Sequence, residues 1–255
     1  MSRRPDRRTL LGRAAAVVLA ALVVPAGCGG DDEPGSTERP LTDAEAAMLA
    51  NVLFADLDAG GAEFTVAVQV GTGATINLQG EIDWTTHRGY AQVSARGVET
   101  GVREVYWSDD AVLEARDDLA PLLERAGLAA TPWVVRDPDP VGRQLDQVLA
   151  VVTGLAATQR DNPLLVAQEP GSAYLRDDTV RGIDAVVLRW GTRGTFWLDA
   201  DDGRLLRFEG DNATRTRPVV VDLVAVRSVT IDGPPAELVT DVADIADVYA
   251  AALAT

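Results

Sequence analysis

His87 is the one histidine of this chain and Cys28 its one cysteine. The side chains that most often carry nucleophilic or metal chemistry are therefore nearly absent. A serine–histidine–aspartate relay needs the imidazole beside an activated serine, and no Gly-x-Ser-x-Gly elbow occurs. A zinc centre needs several His, Cys or carboxylate ligands together. Acids are abundant and often paired: Asp109-Asp110, Asp117-Asp118, Asp177-Asp178 and Asp201-Asp202. They fall at turns and helix starts, where aspartate satisfies free backbone donors. Asp199-Ala200-Asp201-Asp202-Gly203 resembles the start of a calcium loop, but Arg207 and Phe208 follow instead of the required glutamate. No acid pair stands out at glycosidase spacing. Asn212-Ala213-Thr214 matches a glycosylation sequon and reads as a loop. The expectation is a protein without catalytic residues, metal or cofactor, and so not an enzyme.

Cys28 acquires its chemistry from what precedes it. Arg7-Arg8-Thr9-Leu10-Leu11 leads into an apolar run from Ala14 to Val24, then Pro25-Ala26-Gly27-Cys28. A charged head, a short apolar middle and small residues before the cleavage point make a secretory signal over residues 1–27. The middle is too short to span a bilayer, which needs roughly 20 apolar residues. A cysteine after Ala-Gly resembles the lipobox of bacterial lipoproteins, with Pro25 where an aliphatic residue is usual. The resemblance implies a diacylglycerol on the Cys28 thiol, palmitate labelling, and attachment to the outer face of the cell membrane. The paired arginines resemble a twin-arginine signal. The plainer alternative is a secreted protein whose cysteine is incidental.

The mature chain, Cys28 to Thr255, keeps 18 arginines against 38 acids, about −20, and has no lysine. Such a balance excludes nucleic acid as a partner, because phosphate contact needs a basic surface. It also disfavours lying flat on anionic lipid, so an acyl chain must supply the attachment. With its only cysteine committed to lipid, the domain is held together by burial alone.

The elements follow from periodicity. Residues 28–40 are a lipidated cysteine and a flexible tether rich in Gly, Pro, Ser and acids. Thr42-Asp43-Ala44-Glu45 is a capping box for a helix striped by Leu49, Val52, Leu53, Phe54 and Leu57 and stopped at Gly60-Gly61. Phe64, Val66, Val68 and Val70 then alternate with polar residues, as do Ile76, Leu78, Ile82 and Trp84. This is the mark of antiparallel strands with one dry face. Short strands are expected at 89–95, 102–107 and 111–115. A short helix follows Asp117, an extended piece covers 133–135, and a helix carries Leu145, Val148, Leu149, Val152, Leu155 and Ala156. Further strands are expected at 164–168, 173–176, 180–190, 195–199, 204–209 and 219–231, with Asp202-Gly203 as a hairpin turn. A C-terminal helix is expected over 236–254. The sum is one α+β domain over 41–255: about ten antiparallel strands, with helices on the dry face.

That order of parts resembles the LolA-like/LppX-type bacterial lipoprotein family. The likeness rests on the helix after a lipidated tether, the meander from Phe64 to Trp84, Trp133-Val134-Val135 before the Leu145–Ala156 helix, and the hairpin around Trp197 and Asp202-Gly203-Arg204. It covers roughly residues 42–233. It implies a strongly curved half-barrel wrapping helices, with a hydrophobic cavity that holds acyl chains of lipids or glycolipids and carries them across the envelope. The residues themselves say less. An apolar sheet face roofed tightly makes a core; roofed loosely, it makes a pocket. The candidate cavity-lining residues are Phe64, Val66, Val68, Val70, Ile76, Leu78, Ile82 and Trp84, with Leu145, Leu149 and Val152 from the roof. The five tryptophans read as core, and Arg189, Arg193, Arg204 and Arg207 as a solvated face instead of a headgroup rim. A monomer that binds an acylated lipid is expected. The alternative is a non-catalytic interaction or sensor lipoprotein with a filled core.

Overall fold

A computed structural model describes residues 38–70, 73–97, 101–210 and 218–253. The leader, Cys28, the tether up to residue 37 and the Asn212-Ala213-Thr214 sequon lie outside them, as does the side chain of Val70.

Helix α1, Asp43–Ala59, begins where the capping box places it. The Glu45 amide donates to the Thr42 hydroxyl at 3.3 Å, and the Thr42 amide donates to the Glu45 carboxylate at 2.8 Å. Gly60 closes the helix at φ +91°, where a side chain would be strained. Leu49, Val52 and Asp56 lie at three- and four-residue spacing on its buried stripe.

Two antiparallel meanders make the sheet. The first runs β1 Gly61–Val70, β2 Ala74–Asp83, β3 Arg88–Arg96, β4 Glu104–Trp107, β5 Val112–Ala115 and β6 Trp133–Arg136. The second runs β7 Ala173–Val180, β8 Ile183–Trp190, β9 Gly194–Asp199, β10 Leu205–Gly210 and β11 Val219–Val226. They meet where β1 pairs with β11, Phe64 opposite Leu223. A short strand, β12 Val239–Asp241, adds to β6 in parallel and completes the order β12-β6-β5-β4-β3-β2-β1-β11-β10-β9-β8-β7. The sheet is open and strongly curved, an α+β half-barrel of the expected class. Irregularities in register at Glu63/Phe64, Leu205/Arg207 and Tyr174/Arg176 are of the kind that bends strands.

Between the meanders lie α2 Ala120–Arg125, α3 Gln144–Thr153 and α4 Pro163–Gln168; α5 Ala246–Leu253 ends the described chain. The main core joins the dry sides of both meanders to α1 and α3. Phe64, Val66, Val68, Leu78, Ile82 and Trp84 are buried there with Leu49, Val52, Leu149 and Val152. Gly89 stands opposite Trp107. A Cβ on Gly89 would sit 1.9 Å from the indole, so only glycine lets the ring lie over β3.

Several elements differ from the sequence-based expectation. Residues 164–168 form a helix, not a strand: Pro163 fits the first turn and the Asn162 side chain accepts from the Leu164 amide at 3.0 Å. The strand expected to reach Ile231 ends at Val226, although Val229 and Ile231 remain buried. The expected C-terminal helix resolves into a 3-10 turn at Ala236–Leu238, strand β12, a second 3-10 turn at Val242–Ile245, and α5. The strand count among the described residues is twelve. The end of the tether is also held: Arg39 and Tyr174 exchange backbone hydrogen bonds of 3.0 and 2.9 Å along the edge strand β7.

Candidate functional site

Helix α3 roofs the dry face, and its two ends sit differently. At its C-terminal end, the Trp84 indole donates to the Val152 carbonyl at 3.1 Å and the Trp107 indole donates to the Thr153 hydroxyl at 3.0 Å. These bonds fasten the roof to β2 and β4. At its N-terminal end a cavity of about 240 Å³ opens between α3 and the sheet. Ile76, Val93, Val102 and Leu145 form its apolar side, with Glu114, Arg116, Arg136 and Arg143 on the other. A second, half-open cleft of about 460 Å³ borders α3 as well; Trp107, Val112, Leu149 and Ala156 line it together with the polar residues His87, Ser108, Asp109, Asp146 and Thr153. Ligand pockets commonly run about 300–1,000 Å³. The first cavity is smaller than that range; the second falls within it.

The polar side of the smaller cavity is a buried ionic network. Arg136 donates to Glu114 at 2.8 and 2.6 Å and to Asp146 at 2.6 Å through two nitrogens. All three side chains are almost fully withdrawn from solvent. Burial opposes the charge on Arg136, but the bonds to Asp146 and the charge of Glu114 outweigh it, and the guanidinium pKa rises. Arg116 is held bidentately by Asp118 at 2.7 and 2.6 Å. From α5, Tyr249 donates to Glu114 at 2.8 Å and accepts from Arg143 at 2.9 Å. Burial, then the charge of Glu114, raises the Tyr249 pKa. With Ile245, Tyr249 also packs on Leu119, Leu123 and Val134 in a second core.

Of the residues expected to line a lipid cavity, Ile76 and Leu145 border the smaller space and Leu149 the larger. Phe64, Val68, Ile82, Trp84 and Val152 are packed in the core, as are Val66 and Leu78, which also reach a cleft of about 480 Å³ lined by Thr65, Asn77, Gln79 and Asp222. The structure says nothing of the Val70 side chain. The four arginines weighed as a headgroup rim are each ion-paired: Arg189 with Glu38, Arg193 with Asp161, Arg204 with Asp199 and Arg207 with Asp222. The cations that border the smaller space beside α3, Arg116, Arg136 and Arg143, were missed. Their signal lies in strand phase, since Arg136 shares the inward face of β6 with Val134, and Glu114 that of β5 with Val112.

His87 meets Asp109 at 2.7 Å in an exposed turn, with φ +53°. Among the described residues no group of three or more His, Cys, Asp or Glu is placed to hold a metal. In the same residues no helix is long and apolar enough to cross a membrane.

Fold and site together define an open α+β half-barrel with a helical roof over its apolar face. No protein-family model matches the chain, and no curated protein does. Solved structures with a partial likeness include an uncharacterized conserved protein from Thermus thermophilus, at 9% identity and TM-score 0.40 over 76% of this chain and 96% of that one. MucB is similar at 15% identity and TM-score 0.39, over 78% of this chain and 63% of that one. The MucA/MucB complex of Pseudomonas aeruginosa gives 16% identity and TM-score 0.35, over 77% and 60%. The chain thus spans about three fifths of the MucB chains it matches. At these scores the likenesses carry no part of the functional reading.

Proposed function

We propose that this chain is an exported lipoprotein, anchored through Cys28 to the outer face of the cell membrane, whose domain binds a hydrocarbon tail of an acylated lipid or glycolipid beneath α3. The observation that carries the reading is the pair of spaces bordering α3, each with an apolar wall (Ile76, Val93, Val102 and Leu145 in one; Trp107, Val112, Leu149 and Ala156 in the other) beside a polar one. Each buried methylene favours binding by about 0.8 kcal/mol, so apolar walls suffice without an ionic anchor. No catalytic role is assigned to any residue. The domain would hold and release its ligand.

Native mass spectrometry of the mature chain tests the binding, with lysophosphatidylcholine as the added probe. Bound lipid is expected, and Leu145→Trp, which fills the smaller cavity, should reduce it at least fivefold while leaving the circular dichroism unchanged. Protein that emerges clean and ignores lysophosphatidylcholine counts against the reading. Palmitate that labels the wild type but not Cys28→Ala supports the anchor.

A second reading, a non-catalytic interaction or sensor module, draws on the packing of Phe64, Val66, Val68, Leu78, Ile82 and Trp84 in the core. The polar cleft beside Thr65 and Asp222 would then be the contact face, and a folded domain that takes up no lipid would select this reading.

A further inference from the structure

Thr65, Gln79 and Gln92 stand side by side on β1, β2 and β3, in direct register across the sheet. Asp222 on β11 extends the row on one side and Glu104 on β4 on the other. Ala67, Asn77 and Ser94 form a second row, two residues further along the same strands. Residues two apart share a face of the sheet, and Phe64, Val66, Leu78 and Ala91 take the dry one. Both polar rows therefore lie on the face turned away from α3.

That face is indented. Short side chains at Thr65, Ala67 and Ser94 sit among the longer Gln79, Gln92 and Arg103, and the cleft of about 480 Å³ opens there. A second space of about 300 Å³ continues from it across Thr65, Gln79 and Gln92 to Tyr90 and Val224. Both reach the size of ligand pockets, about 300–1,000 Å³. The row from Asp222 to Glu104 crosses five strands, a span of about 19 Å.

The lining selects the ligand. Among the described residues, the side chains of Thr65, Asn77, Gln79 and Ser94 have no hydrogen-bond partner. Amides and hydroxyls both donate and accept, which suits a ligand whose own groups do both. The charges at the margin are already committed. Asp222 pairs with Arg207 at 2.8 Å, Arg103 pairs with Asp117 at 2.9 Å, and Glu104 accepts from the Tyr90 hydroxyl. Among the described lining residues, no cation is left for an anionic ligand. A peptide strand adds to a sheet edge, whereas the backbone groups here are spent in the ladder. An uncharged polyhydroxylated chain meets these conditions. Tyr90, its ring 4.6 Å from that of Tyr106, and the 48% exposed Val224 give apolar surface for the C–H face of a sugar ring.

We propose that this cleft binds a neutral oligosaccharide, read by Asn77, Gln79 and Gln92, with Tyr90 against a sugar ring. The site is separate from the spaces beside α3 and stands whether or not a lipid binds there.

The test titrates the full chain with cellohexaose, mannohexaose and the N-acetylglucosamine hexamer, and follows the side-chain amide signals by NMR. At least one sugar should bind and shift the signals of Asn77 and Gln79. Gln79→Ala, at an exposed position, should keep the urea midpoint and weaken that binding about tenfold. Leu145→Trp, on the other face, should leave the binding unchanged. Failure of all three sugars to bind overturns the proposal. So does binding that survives Asn77→Ala combined with Gln79→Ala, or binding that is lost with Leu145→Trp. A heparin hexasaccharide bound as tightly as the neutral sugars overturns the neutral class. Amide signals that move with protein concentration alone, and not with sugar, assign the face to a second copy and overturn the proposal as well.

Discussion

The phenol of Tyr249 donates a 2.8 Å hydrogen bond to the carboxylate of Glu114, 135 positions away in the chain. Helix α5 thereby closes the polar side of the cavity that Ile76, Val93 and Leu145 bound on the other. Without that donor, a buried acceptor loses one of its partners at a cost of about 1–3 kcal/mol. We predict that Tyr249→Phe lowers the urea midpoint accordingly and leaves the secondary structure intact. An unchanged midpoint would show that α5 docks through Ile245 alone.

Arg136 is the hub of the network. Arg136→Met leaves Glu114 and Asp146 buried without their shared cation, and breaking such a group costs about 3–5 kcal/mol. Replacing all three together, with Glu114→Leu and Asp146→Leu, should recover most of that loss. Equilibrium unfolding of the single and triple variants measures both values; a triple variant no more stable than the single one contradicts the account.

Trp84 governs how firmly the roof is fastened. Trp84→Phe removes the bond to the Val152 carbonyl and keeps an aromatic ring in the core. Faster amide exchange in residues 149–153 and quicker lipid uptake are expected. If α3 exchanges no faster, the roof is held by packing and not by this bond.

Glu45 carries a pH signature. Its bond to Arg39 lowers its pKa from 4.5 to about 2, against a smaller opposing effect of burial. The folded value lies below the unfolded one, so the stabilisation is present above about pH 4.5 and is lost as pH falls through about 2. Glu45→Gln keeps the capping box but loses the charge paired with Arg39, and should cost up to about 1 kcal/mol at pH 7 and almost nothing at pH 2. Thermal melts at the two pH values decide it.

Asp56 behaves in the opposite sense. It is buried on the core stripe of α1, its Oδ2 lacks a hydrogen-bond partner, and burial raises its pKa well above 3.8. Folding then favours the protonated acid, so stability falls as pH rises above 3.8 toward the folded value. Asp56→Asn should raise the melting temperature at pH 8 by roughly 2–4 °C, the equivalent of about 1 kcal/mol in a domain of this size. No gain is expected at pH 3.5, and an equal gain at both would refute the ionisation argument.

Much of the fold was legible because burial imposes a period. Phe64, Val66 and Val68 alternate, Thr42 and Glu45 form a cap, and Asp202-Gly203 makes a turn, each by local rules. Residues 164–168 were misread because Leu164-Leu165-Val166 is an apolar run too short to show a period, and only Asn162-Pro163 marked a helix start. Strand β12 escaped notice because three residues after Pro234-Pro235 carry no pattern; their partner, β6, is set by tertiary packing. The candidate site was less legible than the fold. Its apolar residues look the same in sequence whether they fill a core or border a space. The inward placement of Glu114, Arg136 and Asp146 broke the apolar pattern and was the stronger signal. The two indole bonds that fasten α3 join residues 46 and 68 positions apart, which no local reading connects.

The seam between β1 and β11 imposes an order of events on the molecule. Ala62 faces Val226 across it, so the pairing at the middle of the sheet joins residues 164 positions apart and must wait for residues 219–226. Until residues 219–226 arrive, the first meander ends in an unsatisfied row of amides and carbonyls along β1, a ready template for mispairing. Slow, late closure of this kind is characteristic of non-local strand pairing. A copy that lacks residues 219–226 therefore keeps this edge open.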